Sequence, residues 1–280
     1  MSRLAVVNAR LFDSAAGALR PHSTLVIEGD RIAAVTQEPL QVDDATVIDA
    51  AGRVVLPGLI DAHVHVAAAS HDLFALALQP PSLVGAQSSV LMREMLDRGF
   101  TTVRDAGGAD FGLQAAVERG LYAGPRLYIA GRPISQTGGH ADMRPQGGAG
   151  QGLFCSCAGL GLAGAIADGV GEVRRAVREQ VRNGANHIKI MAGGGVSSPN
   201  DPIDGTQFAL DELQAAVEEA EAANRYVLAH AYSPRAVARA VQAGVRKIGR
   251  AEGIRWDTEA SHADVGNGVD NMVEAAFCVI

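Results

Sequence analysis

His63 and His65 stand two residues apart in the run Pro57-Gly58-Leu59-Ile60-Asp61-Ala62-His63-Val64-His65. If that run is a strand, side-chain alternation places both imidazoles on one face, where they form a pincer for a divalent metal. Asp61 shares the face, and the Pro57-Gly58 break fixes where the strand begins. The competing reading is a pair of histidines that merely sit near a sheet end. Lys189 lies between Ile188 and Ile190 in an otherwise apolar run. A lysine inside a buried strand must lose its charge, pair it or be chemically altered, and an ammonium cannot ligate a metal. The alternative is a lysine that snorkels at a sheet edge. His230 closes the apolar run Val227-Leu228-Ala229. Alone it would read as a core histidine, but at a strand end, like the pair at 63 and 65, it is a third candidate ligand.

The elements that must position these groups follow from periodicity. Residues 57–248 alternate strand and helix. The expected strands are 59–66, 101–105, 126–130, 187–191, 226–230 and 245–248, and the expected helices 88–98, 113–119, 171–183, 211–224 and 234–243. Asp211 reads as a helix N-cap, and Gly99, Gly184 and Gly244 each follow a helix end. Repeated βα units predict a parallel sheet, and six in succession favour a TIM-like (β/α) barrel over an open sheet. A doubly wound fold would need a Gly-rich phosphate turn after its first strand, and none is there. Residues 1–56 hold short strands split by polar turns, with Gly29-Asp30 as a hairpin turn, so they read as a small β subdomain. Residues 249–280 form an atypical polar tail without clear alternation. The expected domains are therefore 1–56, 57–248 and 249–280. In such a barrel, function gathers where strands end. That adds Arg104-Asp105, the loop Ser135-Gln136-Thr137-Gly138-Gly139-His140-Ala141-Asp142, and Tyr232 to the candidates.

Composition bounds the partners. The 280 residues are 48% hydrophobic and 20% charged, the balance of a soluble globular protein. A formal net charge of −7 argues against nucleic acid or an anionic membrane surface as the main partner. No stretch reaches the length of a membrane span, and the first residues lead into strand-like alternation instead of a signal peptide. Three cysteines are too few for a disulfide framework, and Cys155-Ser156-Cys157 lacks the second pair of a zinc ribbon. A reducing cytoplasm is the expected location.

The set His63-x-His65, Lys189 and His230, on expected strands one, four and five, resembles the binuclear-metal amidohydrolase superfamily. The segments HIKIMAGGGVSSPNDPIDGTQ, VLAHAYSP and SQTGGHADMRP resemble its Xaa-Pro dipeptidase-like and imidazolonepropionase-like branch. The resemblance runs from about residue 4 to 248. It implies that His63 and His65 bind the more buried of two zinc-type ions. It also implies that Lys189, carbamylated by carbon dioxide, bridges both ions, that His230 binds the second, and that His140 and Tyr232 hold the substrate. Arg104 and Asp105 read as structural, and Asp204 as a loop or cap residue. The implied reaction is attack of a metal-activated hydroxide on the C–N bond of a dipeptide or N-acyl amino acid, with a nearby base moving the proton.

The family pattern then requires a histidine after strand six, in Glu-His-Gly, and an aspartate at the end of strand eight. This chain reads Gly249-Arg250-Ala251 at the first place. Of the later residues His262, Asp257, Asp264 and Asp270, none ends a recognisable strand. A βαβ unit takes about 30 residues or more, so the tail cannot supply strands seven and eight. The expectation is an incomplete barrel of about six strands, a truncated or frame-shifted product whose open edges favour self-association. Three readings follow: an amide hydrolase acting on dipeptides or N-acyl amino acids, a cyclic amidase or deaminase of the same superfamily, and a catalytically impaired fragment.

Overall fold

The computed structural model describes residues 3–38, 44–145, 161–196 and 200–249. Cys155, Cys157, Arg250, Asp257, His262, Asp264 and Asp270 lie outside the described residues. Two compact units divide the chain, Met1–Gly58 and one beginning at Leu59.

The first unit is a sheet of β1 (Arg3–Asp13), β2 (Ala18–Glu28), β3 (Arg31–Thr36), β4 (Thr46–Asp49) and β5 (Val54–Val55). β1 pairs antiparallel with β2 and parallel with β4 and β5. The β2–β3 hairpin closes through Gly29-Asp30, with Glu28 opposite Arg31 and Gly29 at φ +63°. Positive φ at the first loop residue suits glycine and the twist of a two-residue turn.

The second unit alternates strand and helix: β6 (Leu59–Val64), α1 (Leu73–Ala77), α2 (Pro81–Asp97), β7 (Phe100–Asp105), α3 (Phe111–Glu118), β8 (Arg126–Tyr128), β9 (Ile134–Ser135), β10 (Ala165–Ile166), α4 (Gly169–Arg182), β11 (Ile188–Met191), α5 (Leu210–Ala222), β12 (Val227–His230), α6 (Pro234–Gln242) and β13 (Lys247–Ile248). All pairings of these strands are parallel, in the ladders β6-β7-β8 and β10-β9-β11-β12-β13. Ile188 of β11 and Val227 of β12 pack against Val173 of α4 and Leu213 of α5, while Val103 of β7 and Leu127 of β8 pack against Met92 of α2 and Leu113 of α3. No helix among the described residues is long and apolar enough to cross a membrane.

Helix ends obey local rules, with one correction. Gly99, Gly184 and Gly244 take φ of +93°, +87° and +90° directly beyond α2, α4 and α6, as the left-handed exit from a helix requires. Ser233 caps α6 by accepting from Ala236 N at 3.2 Å. Asp211, however, lies inside the first turn of α5. Ala209 is the cap position, and its N–H donates to Glu212 Oε2 at 2.5 Å. An acid one turn in serves the exposed N–H as well as a capping side chain does, so the sequence signal was displaced by two residues.

Strand three, expected over 126–130, is instead two short segments. Its first part, β8, pairs with β7, and its second, β9, pairs with β11 at Ile134 opposite Ile190. Between them Gly131 takes φ +70°, where an added Cβ would meet Gln180 Oε1 at 2.5 Å, and Pro133 lacks an N–H for the ladder. The Asn186 N–H, donating to Ile129 O at 2.7 Å, and two side chains close the gap. Asn186 Oδ1 accepts from Ile129 N at 2.8 Å and from Gln114 Nε2 at 3.2 Å, and the buried Gln180 Oε1 accepts from Arg132 N at 2.9 Å.

Candidate metal centre

Parallel strands bring every expected ligand to one end of the wall. His63 and His65 leave the end of β6 with ring centroids 5.4 Å apart. Lys189 sits in β11, 1% exposed, in register with Leu228 of β12. His230 ends β12, 7% exposed. Gly249, just past β13, shows how closely two of these groups approach. A Cβ there would lie 2.4 Å from His63 Cε1 and 3.2 Å from Lys189 Nζ, so only a glycine leaves room where strand six meets the pair. Among the described residues, no three His, Cys, Asp or Glu side chains form a ligand group by themselves. The convergence is one of histidines around a lysine.

Hydrogen bonds fix the tautomer of two of the rings. His65 Nδ1 lies 2.8 Å from Gly107 O, and His230 Nε2 lies 3.1 Å from Gly194 O. A carbonyl only accepts, so these nitrogens carry the protons. The lone pairs are left on Nε2 of His65 and Nδ1 of His230, the arrangement an imidazole needs to ligate. Burial, with His140 and Lys189 nearby, pushes His230 down to about 2, so the ring is neutral at physiological pH. Neutral, oriented imidazoles beside a buried amine suit a divalent cation once the amine is converted to an anionic ligand.

Asp105 supports the strand-one side. Its Oδ1 accepts from Gly107 N at 2.9 Å and Ala109 N at 3.1 Å, and its Oδ2 from Val66 N at 2.8 Å. Burial pushes the carboxyl up to about 7, while these three donors and Lys189 favour the anion. Gly107 and Gly108, at φ +132° and +113°, let the loop turn back so that the Gly107 carbonyl faces His65. Arg104 points the other way along strand two, its Nε donating to Ala62 O at 2.7 Å. Asp204 makes no described contact with the ligand group.

His140 and Tyr232 flank His230. The His140 ring stacks on it at 4.0 Å and 16°, and the Tyr232 ring meets it edge-on at 4.9 Å and 85°. Two residues that sequence reasoning did not single out hold His140. Asp201 Oδ2 lies 3.1 Å from its Nδ1, and Gln207 Oε1 accepts from its backbone N at 3.0 Å. Both fall inside the PNDPIDGTQ stretch that carries the resemblance, but nothing local in that loop points at residue 140.

Parallel strands under helices, with ligand-type side chains gathered at one end, describe a TIM-like barrel that carries a candidate metal centre. Residues 54–265 match the amidohydrolase family, and the chain belongs to that family, whose members generally bind divalent metals. Ochratoxinase of Aspergillus niger is 38% identical over 204 residues, which are 70% of this chain and 42% of that protein. A prolidase solved in complex with N-methylphosphonate-L-proline is 49% identical with a TM-score of 0.84, over 89% of this chain and 62% of that chain. A Xaa-Pro dipeptidase with methionine bound in its active site is 29% identical with a TM-score of 0.78, over 98% of this chain and 65% of that one. The chain thus spans less than half of the ochratoxinase and under two thirds of the two solved chains.

Proposed function

We propose that this chain is built to cleave the C–N bond of dipeptides or N-acyl amino acids. The observation that carries the reading is Lys189, buried at 1% exposure among His63 and His230 at the ends of parallel strands. A buried amine there is costly in its charged form. Reaction with carbon dioxide forms an N–C bond, releases one proton and yields a carbamate, which is a hard anionic oxygen ligand. His63 and His65 would then hold one divalent ion through strand one, His230 the other through strand five, and carbamylated Lys189 would bridge them. Zinc-type ions suit this mixed nitrogen and oxygen set. When bound, such a pair lowers the pKa of a water toward neutrality and polarises a carbonyl.

The chain's own groups supply orientation. His140 and Tyr232 stand on two sides of His230 and present a ring nitrogen and a hydroxyl to a substrate carbonyl or carboxylate. The preference for dipeptides rests on likeness to the prolidase and the Xaa-Pro dipeptidase. Metal analysis with turnover assays tests the reading. About two equivalents of metal and release of a free amino acid from an Xaa-Pro or N-acyl substrate are expected. A second reading, a chain impaired in turnover, is favoured by Gly249-Arg250-Ala251 standing where Glu-His-Gly is expected. One equivalent or none, with no turnover, decides for it and against the hydrolase.

A further inference from the structure

We infer that Asp201, clamped by Gln207, is a positioning residue that fixes the tautomer and plane of His140 and so aims its Nε2 at the substrate. The inference rests on reading His140 as a substrate-contacting group. Four observations place this ring under unusual control. Asp201 has a side chain only 4% exposed, with Oδ2 at 3.1 Å from His140 Nδ1. Gln207 holds both partners, its Oε1 accepting from His140 N at 3.0 Å while its Nε2 donates to Asp201 Oδ2 at 3.3 Å. The ring face lies on His230 at 4.0 Å. Its edge is set against Gly195, where a Cβ would come within 1.8 Å of His140 Cε1.

A carboxylate only accepts, so Nδ1 carries the proton and Nε2 the lone pair. This is the outer-shell logic by which a buried acid orients a working imidazole, fixing which nitrogen meets the ligand. A mere tie between the loops after strands three and four would need one contact to the ring or to the backbone. Here the same two side chains hold both, and the loop gives up a side chain at Gly195 to let the ring in.

The test compares Asp201→Asn with the wild-type chain, both zinc-loaded and ¹⁵N-histidine labelled, with His140→Asn used to assign the signal. Nitrogen shifts of His140 are expected to show Nδ1–H in the wild type and a changed tautomer, or a mixture, in Asp201→Asn. An unchanged tautomer overturns the inference. If Asp201→Asn does not fold, Asp201→Ser gives the same readout. Kinetics on a dipeptide supply a second arm. Asp201→Asn is expected to lose about 10- to 100-fold in kcat/KM, and the double variant with His140→Asn to be no worse than His140→Asn alone. Losses that multiply would show that Asp201 acts elsewhere and overturn it. If no dipeptide or N-acyl amino acid is turned over even by the wild type, the hydrolase reading falls, while the tautomer still decides the role of Asp201.

Discussion

His65 and His140 are both imidazoles whose Nδ1 is engaged, but they are held in different ways. His65 is held by main chain, through the Gly107 carbonyl of a loop whose Gly107 and Ala109 N–H groups donate to the Asp105 carboxylate, which also accepts from Val66 N beside His65. His140 is held by side chains, Asp201 and Gln207, that reach it from the loop after strand four. The first arrangement is part of the fold and cannot change without unfolding the loop. The second can be altered one side chain at a time. The lesson is a division of labour: His65 of strand one is fixed by backbone geometry, and the group assigned to substrate is fixed by replaceable chemistry.

Lys189 lies between the two sides, so its removal should undo both. Lys189→Ala is expected to drop the metal content from about two equivalents to below one and turnover by roughly 10²-fold or more. Elemental analysis of the purified variant checks this, and unchanged metal content would refute the bridging role. Asp105→Ala attacks the main-chain side alone. Three buried N–H groups lose their acceptor, so a loss of about 3 kcal/mol or more is expected in urea unfolding. A loss under about 1 kcal/mol would mean that this carboxylate does not carry the loop.

Gly195→Ala attacks the other side. Its methyl would land 1.8 Å from His140 Cε1, so the ring must move. We expect about a ten-fold fall in kcat/KM with unfolding stability changed by less than about 1 kcal/mol. Equal losses in both quantities would erase the contrast. The smallest effect lies away from both sides, between α4 and α5. Hydrogen bonds from Arg178 and then Arg174 hold the Glu219 carboxyl down to about 2, below its ordinary 4.5. A lowered carboxyl stabilises the fold above the unfolded value and loses that contribution as pH falls from about 4.5 toward 2. Glu219→Gln should therefore cost about 0.5–1 kcal/mol at neutral pH, with the two unfolding curves converging as pH is lowered through that window. A gap that persists under acid would assign the effect to packing.

Much of this was legible in the sequence because it is local. The alternation of His63 and His65, the charge of Lys189 among isoleucines, and the glycines past α2, α4 and α6 each announce themselves within a few residues. The break in strand three did not, although Gly131 and Pro133 stand in plain view, since a Gly and a Pro at a strand end also read as an ordinary loop. Asp201 and Gln207 were illegible for a different reason. Their partner is far away in sequence, and an aspartate beside a proline looks like a turn residue until the fold brings His140 to it. The short helix α1 also went unforeseen, because five residues carry too little periodicity to register.

The broken third strand has a mechanical meaning. β8 and β9 belong to one run of chain but to two ladders, so the wall is two panels sewn together by the side chains of Asn186 and Gln180 and by the Asn186 N–H donating to Ile129 O. Cooperative openings should respect that seam, with amides of β6 to β8 exchanging as one block and those of β9 to β13 as another. His63 and His65 travel with the first panel, and Lys189 and His230 with the second. Any ion gripped by both acts as a rivet across the seam, and its affinity is returned to the protein as resistance to coming apart.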